Sequence, residues 1–256
     1  MTFLDDVLET KRAEIARLRA IPPRDSASPS AGFGSALRGP GLSVIAEVKR
    51  RSPSKGELAP DLDAARIARA YAEGGAAAIS CLTDRTFFGA RTGDLAEACA
   101  AGRPVLRKDF LIDEIQIDES VDLGASAVLL IVKILPVGRL EALLRHATAL
   151  GLAALVEVHD EEEVDRAMAA GAGIIGVNNR DLATLAVDPG RALRLRPRIP
   201  NGVASVAESG VRTRDDVMRI EDAGFDAVLI GETLVTSVDP AATLMNLMGK
   251  NAEVSR

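Results

Sequence analysis

Seven residues of this chain have the types and spacing for proton transfer beside a bound anion. Glu47 and Lys49 stand one residue apart at the end of the apolar run "SVIAEVK", and Lys108 closes "VLRK". Glu157 lies at the end of "AALVEV", Asn178 and Arg180 follow "IIGV", and Glu208 follows "ASVA". A lysine ammonium can protonate an oxygen that is gaining negative charge, and a carboxylate can take a proton back. Lysine is a sluggish acid at its ordinary pKa, so desolvation or a second lysine is expected to lower it. Two loops suit a phosphate: Ser209-Gly210 and Gly231-Glu232. Glycine lets backbone N–H groups come close to the anion, and a following helix N-terminus favours negative charge.

Taken singly, a charged residue ending an apolar run is as well explained as a solvated loop residue. The elements that carry these residues change that balance. Short apolar strands are expected at Val44–Val48, Ala78–Leu82, Val105–Lys108, Ala127–Ile131, Ala153–Val158, Ile174–Asn178, Ala204–Ala207 and Ala227–Ile230, each followed by a helical pattern. They lack strict alternation, as parallel strands covered by helices do. A weak repeat of helix end, glycine and strand places Gly75, Gly124, Gly171 and Gly224 at spacings of 49, 47 and 53 residues, each close to two strand–helix units. The pattern predicts an α/β fold: one (β/α)₈ barrel over 44–248, preceded over 1–40 by a helix and a loop, the whole 256-residue chain being one domain. An open doubly wound sheet is the alternative, but no G-x-G-x-x-G follows the first strand. Leu4, Val7, Leu8, Ile15 and Leu18 give the N-terminal helix an apolar face, and "IPPRDSASPSAG" breaks it as a loop.

In a barrel, the C-terminal strand ends build the site, and alternate strands supply one interior layer. Glu47, Lys49, Lys108, Glu157 and Glu208 all belong to strands 1, 3, 5 and 7 at that end, so coincidence becomes a poor account of them. The loops after strands 7 and 8 are the recurrent phosphate site of such barrels. The other reactive side chains read as structural: His159 as a loop residue, His146 as a helix surface residue, Cys81 as a small core residue. "KRRSPSKG" alone would pass for a solvated basic turn.

Composition narrows the partners. The net charge of −6 argues against nucleic acid. No run of 18 apolar residues suggests a membrane span. The N-terminus "MTFLDDVLET" is acidic where a signal peptide is basic. Two cysteines, Cys81 and Cys99, make no disulfide framework, so a reduced, cytoplasmic setting is expected. No metal site is expected from two separated histidines.

The stretches "VIAEVKRRSPSKG", "AISCLTDRTFFGA", "PVLRKDFLID", "VEVHD", "GVNNRDL" and "AESGV" resemble the motifs of the indole-3-glycerol phosphate synthase family, over residues 44 to 232 and into the N-terminal helix. The resemblance implies conversion of 1-(2-carboxyphenylamino)-1-deoxyribulose 5-phosphate to indole-3-glycerol phosphate, carbon dioxide and water in tryptophan biosynthesis. No cofactor or metal is implied. By position, Lys108 resembles the general acid of ring closure, Lys49 the holder of the substrate carboxylate, and Glu157 a catalytic carboxylate. Glu47, Phe110, Asn178, Arg180 and Glu208 resemble further site residues. Ser52, Ser209, Gly210, Gly231 and Glu232 hold phosphate-site positions, with glutamate at 232 where many relatives have serine. Lys133 stands where a small residue is usual and receives no role. The partner implied is a small phosphorylated substrate, and a monomer or at most a weak homodimer is expected. The competing readings are a phosphoribosylanthranilate isomerase, which would rest on an acid and a cysteine, and a non-catalytic sensor barrel, which would have lost a lysine or glutamate.

Overall fold

A computed structural model describes residues 3–21 and 32–250; the loop expected over 21–32 lies, apart from its end residues, outside the described residues. Eight apolar segments form parallel strands: β1 Ser43–Val48, β2 Ala78–Leu82, β3 Val105–Lys108, β4 Ala127–Ile131, β5 Ala153–Val158, β6 Ile174–Asn178, β7 Ala204–Glu208 and β8 Ala227–Ile230. Each pairs with its neighbours in chain order, and β1 pairs with β8, which closes the sheet into a barrel. Helices connect successive strands. Strand residues are buried almost throughout, because one face fills the barrel and the other packs under the helices.

The four glycines of the repeat all adopt left-handed φ, from 81° to 89°, where each helix ends and the chain turns into β2, β4, β6 or β8. On the opposite side, Asp63, Asp113, Asp160, Thr213 and Asp239 cap helix N-termini with side-chain hydrogen bonds. Two features were not expected from the strand pattern. β7 runs one residue further, so Glu208 is paired in the sheet opposite Asn178. The "RSPSKGE" turn is a small antiparallel ribbon, Arg51–Ser52 against Gly56–Glu57, standing over the end of β1.

The N-terminal helix spans Phe3–Leu18. Its buried face differs from the expected apolar one: Val7, Lys11 and Ile15 are buried, whereas Leu4, Leu8 and Leu18 are only half-buried. A lysine in the middle of a buried face demands anions, and the barrel supplies them. Lys11 Nζ lies 2.7 Å from Asp84, 2.8 Å from Asp109 and 2.8 Å from Glu14. Asp84 follows β2 and Asp109 follows β3, so this ion cluster ties the helix to the strand ends that form the site.

Candidate active site

The register of the odd-numbered strands brings their polar ends together. Lys108 Nζ, at the end of β3, lies 3.1 Å from Glu157 Oε2 on β5 and 2.9 Å from Glu208 Oε2 on β7. Lys49 Nζ, one residue past β1, lies 2.8 Å from Glu47 Oε1. Glu157 and Glu208 are each 1% exposed and Glu47 is 4% exposed. Two glycines make room for this layer. A Cβ on Gly176 would overlap Glu208 Oε1, and one on Gly231 would overlap Glu47 Oε1 and press on Lys49 Nζ at 3.1 Å.

The charges of this cluster are uneven. Burial draws the Lys108 ammonium down, but Glu208, Glu157 and Glu47 outweigh it, and the lysine stays well above its ordinary range. The expectation that desolvation or a second lysine would lower it is therefore overturned. Lys49, the second lysine, is itself paired to Glu47. Burial also raises both carboxyls, yet they diverge. Lys108, His159 and Asn178 hold Glu157 well below the usual carboxylate range. Glu208, buried beside ionised Glu157 and near Glu47, is pushed up to about 7 in spite of Lys108.

Two recesses meet at the lysines. One is walled by Phe3, Phe88, Phe110, Leu129 and Ile131. The rings of Phe3 and Phe88 pack on Phe110 with centroids 6.3 and 6.1 Å apart. Ser52 lines the same recess, and its hydroxyl is buried with no hydrogen-bond partner among the described residues. The other recess encloses about 550 Å³ and is bounded by Ser209, Gly210, Arg212, Gly231, Glu232 and Thr233. Glu47, Lys49, Lys108, Arg180 and Ser209 border both. Ser209 and Gly210 both have left-handed φ, 66° and 89°, which bends the chain after β7 around the second recess. Asn178 Oδ1 accepts the backbone N–H of Arg180 at 2.9 Å. The Arg180 guanidinium donates to Ser54 Oγ at 3.0 Å and Leu185 O at 2.8 Å, which moors the ribbon over β1 to the loop after β6.

Arg180 joins the ribbon over β1 to the loop after β6. The residues expected to form the site line one recess or the other, but three departures matter. Glu232 pairs with Lys55 of the ribbon. Burial pushes its carboxyl up, and Lys55, Lys49 and Arg212 more than reverse that. His159, expected as a structural loop residue, is buried with its ring beside Glu157. Lys11, Asp84 and Asp109 were not anticipated at all, although Asp84 and Asp109 line the first recess. The capping position of Asp84 before "RTFF" was legible, its charge partner was not. Lys133 lies 3.6 Å from Asp181, outside the cluster.

The family model described as indole-3-glycerol phosphate synthase matches residues 4–247. The chain belongs to the indole-3-glycerol phosphate synthase family. It is 50% identical over 247 residues to the indole-3-glycerol phosphate synthase of Chlorobium phaeovibrioides, covering 93% of this chain and 96% of that one. It is 53% identical over 238 residues to indole-3-glycerol phosphate synthase 2 of Streptomyces coelicolor, covering 93% and 90%. Among solved structures, a thiamine phosphate pyrophosphorylase from Pyrococcus furiosus superposes with a TM-score of 0.62 at 17% identity, over 86% of this chain and 97% of that one, a likeness of fold alone.

Proposed function

We propose that this chain catalyses the indole-3-glycerol phosphate synthase reaction, as a carboxy-lyase of tryptophan biosynthesis, with the odd-strand layer as its proton-transfer machinery. The observation that carries the reading is one ammonium, Lys108, set between two buried carboxylates where an aromatic-walled recess meets a glycine-lined one. The substrate has the matching parts: an anthranilate ring, a ketone, and a 5-phosphate. The ring belongs against Phe110 and Phe88 in the recess that Ser52 also lines, the phosphate among Ser209, Gly210, Gly231 and the backbone of Glu232, and the ketone beside Lys108.

Ring closure joins the carboxyl-bearing ring carbon to the ketone carbon. The carbonyl oxygen gains negative charge and takes a proton from Lys108. A lysine held above its ordinary pKa by carboxylates is a poor acid toward water, but an alkoxide is basic enough to take its proton. Glu208, with its carboxyl near 7, is suited to replace that proton. Loss of carbon dioxide then restores the aromatic ring. Dehydration needs an acid for the departing hydroxyl and a base for the N–H proton. Glu157 stays ionised and serves as the base, since environments that push two carboxyls apart separate their roles. Lys49 meets the substrate carboxylate, oriented by Glu47. Asn178 and Arg180 fix the loop after β6 around the reacting chain.

Cytoplasmic location and a monomeric state belong to the same reading; two free cysteines, one buried and one half-buried, support a reducing setting. No helix among the described residues is long and apolar enough to cross a membrane. Turnover of 1-(2-carboxyphenylamino)-1-deoxyribulose 5-phosphate, followed by indole absorbance or fluorescence, is the test. Absence of indole product from folded protein would overturn the reading.

A further inference from the structure

The two oxygens of Glu157 have different company. Oε2 takes Lys108, whereas Oε1 faces His159 Nε2 at 3.3 Å, within ion-pair distance but not aligned as a hydrogen bond. The imidazole is 3% exposed. On its far side Nδ1 lies 3.0 Å from Glu163 Oε2, which also accepts the backbone N–H of His159 at 2.8 Å. A carboxylate can accept both, so Nδ1 carries a hydrogen. Nε2 is then either a bare lone pair directed at a carboxylate oxygen or a second N–H. At 3.3 Å the buried lone pair would repel the anion. A second proton turns that repulsion into an attraction between opposite charges.

We propose that His159 is a positioning residue: it is held as an imidazolium between Glu157 and Glu163, keeps Glu157 ionised, and turns its other oxygen toward Lys108. The proposal rests on Glu157 being the base of the reaction above. Lys108 from β3, Asn178 from β6 and Glu208 from β7 bear on Glu157 from inside the barrel, and Glu47 from β1 acts on Lys108 and Glu208. On the outer side Glu163 comes from the helix Glu161–Ala169, and Lys133, in the turn after β4, is taken up by Asp181. Burial would strip the imidazole of its second proton, but the two carboxylates outweigh burial and push its pKa up to about 9. Glu163, four residues on, is the partner that supplies the outer anion.

The chain has two histidines, His146 and His159, so ring ¹⁵N resonances of the labelled, full-length protein can be assigned with a single His159→Gln variant. At pH 7.5 His159 should show imidazolium shifts at both nitrogens, and should keep them until the pH nears 9. A neutral ring at pH 7.5 overturns the proposal without reference to turnover. In His159→Gln and in Glu163→Gln, kcat should fall about tenfold with KM changed less than about twofold. The acid limb of the kcat profile should move up by about one pH unit, because Glu157 loses the cation that holds it ionised. An unmoved limb in both variants overturns the link to Glu157 even if His159 is charged. Glu157→Gln tests the base role separately: near-normal kcat there would overturn that role, whereas the charge of His159 is read in the wild-type protein without substrate.

Discussion

Replacing Lys11 by methionine should cost this protein stability and activity together. Methionine keeps most of the length and apolar volume of the lysine stem, so packing loss is small. What is lost is the one ammonium shared by Asp84 and Asp109, which are 0% and 2% exposed at their side chains. Removing one partner of a buried ion pair costs about 3–5 kcal/mol, because the remaining charge is left uncompensated. Other contacts reduce that figure here. Asp109 keeps Thr83 Oγ1 at 2.5 Å, the Phe110 N–H at 2.8 Å and Arg107 at 3.5 Å, and Asp84 keeps the Phe87 N–H at 2.6 Å. The low end, about 3 kcal/mol, is the expected loss, or a fall in Tm of roughly 6–12 °C at this chain length. Asp109 adjoins Lys108 and Phe110, and a small displacement of that strand end misplaces the acid, so kcat/KM should fall about tenfold or more. Thermal unfolding by circular dichroism and steady-state turnover of the Lys11→Met protein measure both. Adding Asp84→Asn should recover part of the stability, since the stranded charge is removed. A Tm within about 2 °C of the parent, with unchanged kinetics, would refute the idea that this buried cation holds the helix and the strand ends together.

Other outcomes follow from the site. Lys108→Met should lower kcat by about 10²-fold or more while binding of the reduced, carbonyl-free substrate analogue stays near normal; Lys49→Met should raise KM and weaken that analogue, and equal calorimetric losses would show the two assignments to be reversed. Inorganic phosphate should compete with substrate, more weakly in Lys55→Met, where Glu232 is left facing the anion, and more strongly in Glu232→Ser; a double variant no better than Lys55→Met would dissociate Lys55 from Glu232. His159, raised above its unfolded pKa of about 6.5, contributes stability that is complete below that pH and lost as pH rises toward 9, about 3 kcal/mol at most. Denaturant titrations from pH 6 to 10 should therefore show a steeper alkaline decline in the parent than in His159→Gln, and parallel curves would contradict it. Subtracting the two curves also removes the effect of Glu208, whose raised carboxyl likewise loses stability as pH rises, in the lower window between 4.5 and about 7.

The strands were legible because each is a short apolar run, and those that carry the site stop at a charged or amide residue, as a barrel's functional strand ends do. The glycine repeat was legible for a local reason too, since helix end and turn are neighbours in sequence. β7 reads one residue short because Glu208 is a poor strand former until its carboxylate has Lys108 to face. The N-terminal helix shows the same limit: periodicity finds the apolar positions, but the buried stripe runs through Lys11, whose partners follow strands much further along the chain. Lys55 and Glu232 are 177 residues apart, and nothing local to either announces the other. The depth of His159 was not legible because a histidine in a turn carries no sign of its burial, and only the packed helix Glu161–Ala169 places Glu163 behind it.

The two lysines, alike in sequence, are separated by how many of their three N–H donors the protein already uses. Lys49 makes an ion pair with Glu47 at 2.8 Å but no aligned hydrogen bond among the described residues, and its side chain is 14% exposed at the mouth. Its donors are left for a carboxylate taken up from solution. Lys108 spends two, on Glu157 and Glu208, inside a layer where both acceptors are 1% exposed. One donor remains, enough for a single oxygen, and its direction is fixed by the other two. A group with one fixed donor does little for ground-state affinity but is well placed when an oxygen beside it becomes anionic. Glu47 Oε1 fills the space that a Cβ on Gly231 would take, so glycine at 231 is what lets the carboxylate sit beside Lys49. Lys49 therefore keeps its orientation while the substrate enters, and a methyl group at position 231 would disturb both lysine and carboxylate before it reached the phosphate.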